Sequence, residues 1–329
     1  MSEPAPRKVR SVFVSDLHLG YKGADIAALN GFLRAHDFER LYLVGDILDG
    51  WKLEKRWYWN RDYSEFLDSL LALRRRSRIT LITGNHDERL RDMLAILFRP
   101  VLLRKYGIRV EERIVHRARD GRQFLVMHGD QFDGALTRGS SKLADRAWSF
   151  LVERALVRPR PSEPPTGPQD GRRWSLGKEI AKNALNLANR FHQRALRRVA
   201  EDGLDGIVCG HSHLPVLREQ RGLLLANCGS WTGAKAPGEM HTALVETLEG
   251  QLEMIEWPAA RPVPGHPRLR SLPPRQPGTR HPDAARLVRM IHALWSSPHV
   301  AEPAAGTPAL TAPDPAPVTG DRVLRQTTA

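Results

Sequence analysis

The sequence predicts an α/β fold, a sheet with helical layers, interrupted by a helical cap and followed by a disordered tail. Three observations carry that expectation. Short apolar runs alternate with helix-like stretches through the first hundred residues, as strand and helix do in α/β sheets. Segment 136–200 breaks the rhythm with two long amphipathic stretches. From about 259 the chain turns proline-rich: residues 259–329 hold 13 of its 24 prolines, a composition typical of disorder.

The strands read in order as VRSVFVS (9–15), LYLV (41–44), LITG (81–84), FLVM (124–127), GIVC (206–209) and LLLA (223–226). Each is a short apolar run of strand length. Helices are expected over about 24–36, 62–77 and 86–98, and MHTALVET (240–247) and QLEMIEW (251–257) read as a closing hairpin around Glu249-Gly250. Inside 136–200, one helix is expected over 140–157, with Leu143, Ala147, Phe150 and Leu151 on a face. Another is expected over 174–200, with Ile180, Leu185, Ala188, Phe191 and Leu196. The proline-rich loop 158–171 separates them. The predicted organisation is therefore a domain built from 9–135 and 201–258, a basic cap over 136–200, and a tail over 259–329. One stretch of that tail, 283–295, has Leu287, Ile291 and Leu294 at helical spacing.

Apolar residues make up 41 % of the 329, enough for a sizeable core. The first ten residues lack the apolar region of a signal peptide, and no apolar run approaches the ~20 residues that span a bilayer. Cys209 and Cys228, each closing an apolar run, read as buried reduced thiols. A cytoplasmic protein is expected. The formal charge of +13 is uneven: 1–135 with 201–258 carry 27 basic and 28 acidic side chains, 136–200 carry 14 and 5, and 259–329 carry 9 and 4. A local basic field suits a phosphate-bearing substrate, an anionic membrane surface or nucleic acid; a solvated helix face would also account for it.

Five short motifs follow predicted strands: Asp16-Leu17-His18, Gly45-Asp46 with Asp49, Gly84-Asn85-His86-Asp87, His128-Gly129-Asp130, and Gly210-His211-Ser212-His213. Ligands of open α/β sheets bind at that edge. Each motif alone is weak; a lone histidine is more often a packing residue. Together they form a ligand set of carboxylate, imidazole and amide oxygen, which suits Mn²⁺, Fe or Zn²⁺. Seven candidate ligands exceed one tetrahedral ion and suit two ions about 3.5–4 Å apart that share a carboxylate.

DLH, GDxxD, GNHD, HGD and GHSH, in this order, resemble the signature of the calcineurin-like metallophosphoesterases over about residues 10–257. The resemblance implies a two-sheet α/β sandwich with metals at one edge. It implies Asp16, His18 and His213 on one metal, Asn85, His128 and His211 on a second, and Asp46 bridging. His86 matches the leaving-group acid and Asp49 the carboxylate that orients it. Within the superfamily, SDLHLG (15–20), GDILDGW (45–51), HGDQFD (128–133) and the helical insertion are similar to the UDP-2,3-diacylglucosamine diphosphatases of lipid A synthesis. That implies a lipid-linked nucleotide diphosphate as substrate, UMP and 2,3-diacylglucosamine 1-phosphate as products, manganese as the metal, a lid over the acyl chains, and peripheral contact with an anionic inner membrane. At His86 and Asp49 the chain keeps the residues of the wider superfamily, where the best-known branch of the diphosphatases has Arg and Glu.

Other readings stay open on the residues: another phospholipid, nucleotide or phosphoprotein as substrate, or a scaffold without catalysis. Nucleic acid is disfavoured, because the basic residues share helices with continuous apolar faces. WKLEKRWYWN (51–60) is expected either to stack on substrate or headgroup or to pack under the cap. NCGSW (227–231) is a Gly-Ser turn whose N–H groups could face a phosphate. Arg74, Arg75 and Arg76 suit a helix C-terminus.

Overall fold

A computed structural model describes residues 5–87, 99–132, 190–233, 239–260 and 270–296. Strands β1 (Arg7–Val14), β2 (His36–Val44), β3 (Arg78–Ile82) and β4 (Ile108–Glu111) lie side by side in parallel. β10 (Met240–Glu246) pairs antiparallel with β1, and β11 (Leu252–Pro258) closes that edge, completing six strands in the order β11-β10-β1-β2-β3-β4. The second sheet has the order β5-β6-β7-β9-β8, from β5 (Arg113–Arg117), β6 (Gln123–Met127), β7 (Gly206–Cys209), β8 (Val216–Gln220) and β9 (Leu223–Asn227).

The apolar runs are continuous because both faces of each inner strand are buried. Alternate residues go to different cores. Phe13, Tyr42, Val44, Ile82, Phe124, Val126, Val208 and Ala226 meet between the sheets. Val12, Val14, Leu41 and Leu43 face helices instead. On that outer face pack α1 (Ile26–Arg34), α2 (Gly50–Lys55) and α3 (Arg61–Leu73). Their starts are capped by Asp25, Asp49 and Asn60, whose side chains accept the N–H of Ala28, Lys52 and Tyr63 at 3.2, 3.0 and 3.0 Å. Helix α4 (Arg99–Tyr106) precedes β4. On the second sheet, helical residues 190–201 (α5) bury Phe191, Ala195, Leu196 and Val199 against Leu125, Ile207 and Leu225. The result is the two-sheet α/β sandwich with helical layers.

Of the helical cap, only the end of the second predicted helix lies within the described residues; 133–189 lie outside them, as do residues 88–98 of the helix predicted over 86–98, whose first two residues form a turn. Within the tail read as disordered by composition, where only 283–295 has helical spacing, residues 270–296 form a strap on the domain. Leu272 N–H donates to the Trp59 carbonyl at 2.5 Å, Trp57 Nε1 donates to the Leu272 carbonyl at 2.9 Å, and Asp68 accepts the N–H of Arg280 and His281. The strap ends in α6 (Pro282–Ser296), which buries Ala284, Leu287, Val288, Ile291, Leu294 and Trp295. Among the described residues no helix is long and apolar enough to cross a membrane.

Candidate metal centre

Every predicted motif follows the C-terminal end of its strand, so β1, β2, β3, β6 and β7 deliver their polar residues to one edge. The backbone there is unusual. Asp16, His18, Asp46, His211 and His213 have φ of 55°, 48°, 52°, 67° and 56°, and the only other described non-glycine residue with positive φ is Arg221. Such conformations cost of order 1–3 kcal/mol each and persist where surrounding contacts over-determine them. Those contacts are visible: Asp16 N–H donates to the Gly45 carbonyl at 3.1 Å, His18 N–H to the Asp46 carbonyl at 2.9 Å, and His211 N–H to Asp16 Oδ2 at 3.1 Å. Gly84 is required by close approach, since a Cβ there would lie 2.2 Å from Asp46 Oδ1 and 2.5 Å from Asp46 N.

The side chains converge on two carboxylates. Asp16 Oδ1 lies 3.1 Å from His213 Nε2 and 3.9 Å from His18 Nε2. Asp46 Oδ2 lies 3.3 Å from His128 Nε2, 3.7 Å from His18 Nε2 and 3.8 Å from His86 Nε2. Asn85 Oδ1 stands 3.2 Å from His128 Nε2. The rings of His128 and His211 are 5.2 Å apart, edge to face. Three overlapping groups have ligand atoms within 4.8 Å of one another: Asp16, His18 and His213; Asp46, His18 and His86; and Asp16, Asp46 and His128. His86 and Asp49, predicted as acid and orienter, meet at 3.4 Å between Nδ1 and Oδ1. All nine predicted site residues thus share one edge.

The electrostatics suit cations. Burial alone would raise the carboxyls of Asp16, Asp46 and Asp49, but the surrounding imidazoles hold all three below the usual carboxylate range. Burial alone would lower His18 and His128. Asp16, Asp49 and Asp46 instead hold His18 at about 10, and Asp46 foremost holds His128 well above the usual imidazole value. Protons on these rings balance the carboxylates, and metal ions would displace them. Buried Asp16 Oδ1 and His18 Nε2 make no well-aligned hydrogen bond among the described residues, although ligand-type atoms lie 3.1–3.9 Å from each. Carboxylate and imidazole atoms crowded together in this way fit a metal centre.

Residues 9–215 match the family model of the calcineurin-like phosphoesterases. The chain belongs to that family. It is a metal-dependent phosphohydrolase. No curated protein matches this phosphoesterase. Solved structures similar to it include an archaeal phosphodiesterase (15 % identity, 75 % of this chain and 98 % of that one, TM-score 0.39). Others are a phosphoesterase from E. coli (15 %, 74 % and 97 %, 0.35) and a single mutant of Vps29 from Entamoeba histolytica (14 %, 75 % and 98 %, 0.34).

The phosphoesterase also uses residues whose roles are not visible in the motifs. Asp87 accepts the N–H of Ile47, Leu48 and Gly84 at 3.1, 2.9 and 3.1 Å, tying the turn after β3 to the turn after β2. Burial, then the Asp46 charge, pushes its carboxyl up to about 6. Asn227 Nδ2 donates to the Gly210 carbonyl at 2.5 Å and contacts Ser212 Oγ at 3.1 Å, bracing the GHSH turn. The ring of Trp51 lies 3.9 Å from that of His86, whereas Trp57 and Trp59 pack beneath the strap. Segment 51–60 is therefore divided between the site and the core. In NCGSW, the Gly229 and Trp231 N–H groups donate internally, to Asn227 Oδ1 and the Asp16 carbonyl, so these two do not face a phosphate. The Cys209 and Cys228 thiols are buried and free, and burial pushes Cys209 up to about 12.

Proposed function

We propose that this phosphoesterase cleaves the P–O–P linkage of a lipid-linked nucleotide diphosphate, UDP-2,3-diacylglucosamine, releasing UMP and 2,3-diacylglucosamine 1-phosphate in lipid A synthesis. The observation that carries the substrate class is the segment placed between two motifs of the metal centre, 136–200, with its 14 basic and 5 acidic residues. In this reading Asp16, His18 and His213 would hold one divalent ion and Asn85, His128 and His211 a second, with Asp46 shared between the two. Manganese is the proposed metal, ahead of iron and zinc.

When bound, the ions supply Lewis-acid polarisation of phosphoryl oxygens and a more acidic water. The chain supplies the rest. Asp49 holds the His86 ring through Nδ1 at 3.4 Å, leaving Nε2 directed at the centre beside Asp46 Oδ2. From there His86 donates a proton to the oxygen that leaves phosphorus as the water oxygen bonds to it. The basic segment pairs with the diphosphate and rests on the anionic cytoplasmic leaflet, at about 1 kcal/mol per Lys or Arg near the surface.

The test is UMP release from UDP-2,3-diacylglucosamine by protein purified with Mn²⁺. Turnover of a generic phosphodiester without UMP release would retain the hydrolase and overturn the substrate.

A further inference from the structure

A cavity of about 590 Å³ opens where the chain passes from β4, the edge of one sheet, to β5, the edge of the other. Among the described residues five arginines line it, Arg40, Arg74, Arg78, Arg109 and Arg113, and no Asp or Glu does. Arg40 stands directly opposite Arg78 in the register of β2 and β3. Like charges directly opposite destabilise a sheet, and an anion between them would offset that repulsion. Arg109 leans on Glu111 at 2.8 Å. Arg40, Arg78 and Arg113 have no ion pair among the described residues, and Arg74, likewise without one, donates through Nη1 to the Lys105 carbonyl at 2.6 Å.

The cavity is separate from the metal centre. Arg78 opens β3 while Asn85 follows its far end, and the five residues of that strand already span ~13 Å. One wall is apolar and fixed. Tyr42 stacks on Phe13 at 4.6 Å between ring centroids, and its hydroxyl meets His116 Nδ1 at 3.0 Å. Leu103 and Val115, which also line the space, are 54 % and 46 % exposed. Guanidinium groups match phosphate in planar, two-pronged contacts, and the volume lies within the range of small-ligand pockets.

We propose that this cavity binds a small phosphate-bearing ligand with a flat or apolar body, of the nucleoside monophosphate class, at a site distinct from the metal centre. The test is equilibrium dialysis of labelled inorganic phosphate against the metal-loaded full-length protein. A phosphate site is expected that Asp46→Asn leaves in place and Arg40→Gln with Arg78→Gln weakens about 10- to 100-fold. Arg109→Gln with Arg113→Gln, on the neighbouring strands, provides a second pair with the same expected loss. Both pairs are expected to keep hydrolysis of bis-p-nitrophenyl phosphate, which shows that they fold. AMP is expected to displace the label at lower concentration than unlabelled phosphate does. Loss of all phosphate binding in Asp46→Asn, or full binding in both arginine pairs, would overturn the site. AMP competing no better than phosphate would overturn the ligand's flat body.

Discussion

Asp49 Oδ1 serves two partners at once: it caps α2 through the Lys52 N–H at 3.0 Å and holds His86 Nδ1 at 3.4 Å. The helix that follows the GDxxD motif and the imidazole of the GNHD motif are thereby fixed by one carboxylate. Asp49→Asn should keep the cap while weakening the hold on His86. We expect a fall in kcat of about 100- to 10,000-fold for His86→Ala and a smaller one for Asp49→Asn. His86 also lies within 4.8 Å of Asp46 and His18, so elemental analysis is the deciding measurement. Unchanged metal content in His86→Ala separates an acid from a ligand.

Asp46 Oδ2 stands within 3.8 Å of three imidazoles, and Asp46 Oδ1 accepts the His86 N–H at 2.9 Å. Asp46→Ala removes the carboxylate these groups share. Phosphodiester hydrolysis should be lost together with metal, measured by activity and by metal stoichiometry after gel filtration.

Glu246 is buried between the sheets. Burial would raise its carboxyl, but His116, Ser11, the Arg119 N–H and Arg10 hold it at about 2, against an ordinary value of 4.5. A carboxyl depressed by folding stabilises the native state above its unfolded value and ceases to as pH falls. The contribution should be complete above about pH 5 and drain away from pH 4.5 toward 2, amounting to about 3 kcal/mol at most. Glu246→Gln should lower stability at pH 7 and flatten the pH dependence between 5 and 2.5, as read by urea denaturation.

Trp295 is buried at the end of α6 and packs on Gly50, whose added Cβ would meet its Nε1 at 2.5 Å. Trp295→Ala should cost about 3 kcal/mol or more and lower the thermal midpoint measured by circular dichroism.

Much of this was legible in the sequence, for a physical reason. Strands buried on both faces must be apolar throughout, so β1, β2, β3, β6, β7 and β9 stood out as runs. β4 (IRVE), β5 (RIVHR) and β8 (VLREQ) were missed because they are short and charged, as strands at sheet edges tend to be. All nine predicted site residues carry their chemistry on the side chain and were visible in the motifs. Asp87 and Asn227 act on backbone groups of distant turns, which sequence spacing does not display. The strap was hidden by composition: its prolines masked a few apolar side chains, and only the spacing of Leu287, Ile291 and Leu294 pointed to α6.

The strap also sets an order on biosynthesis. Trp57 emerges from the ribosome 215 residues before Leu272, the residue whose carbonyl it binds. At the usual rate of translation, roughly ten to forty seconds pass between them. During that interval Trp57 and Trp59 lack their cover, and α2, which carries Trp51 toward His86, lacks its support from Trp295. The nascent chain therefore gains this cover only after residues 272–295 have been made, and until then it presents two tryptophans that a chaperone can hold.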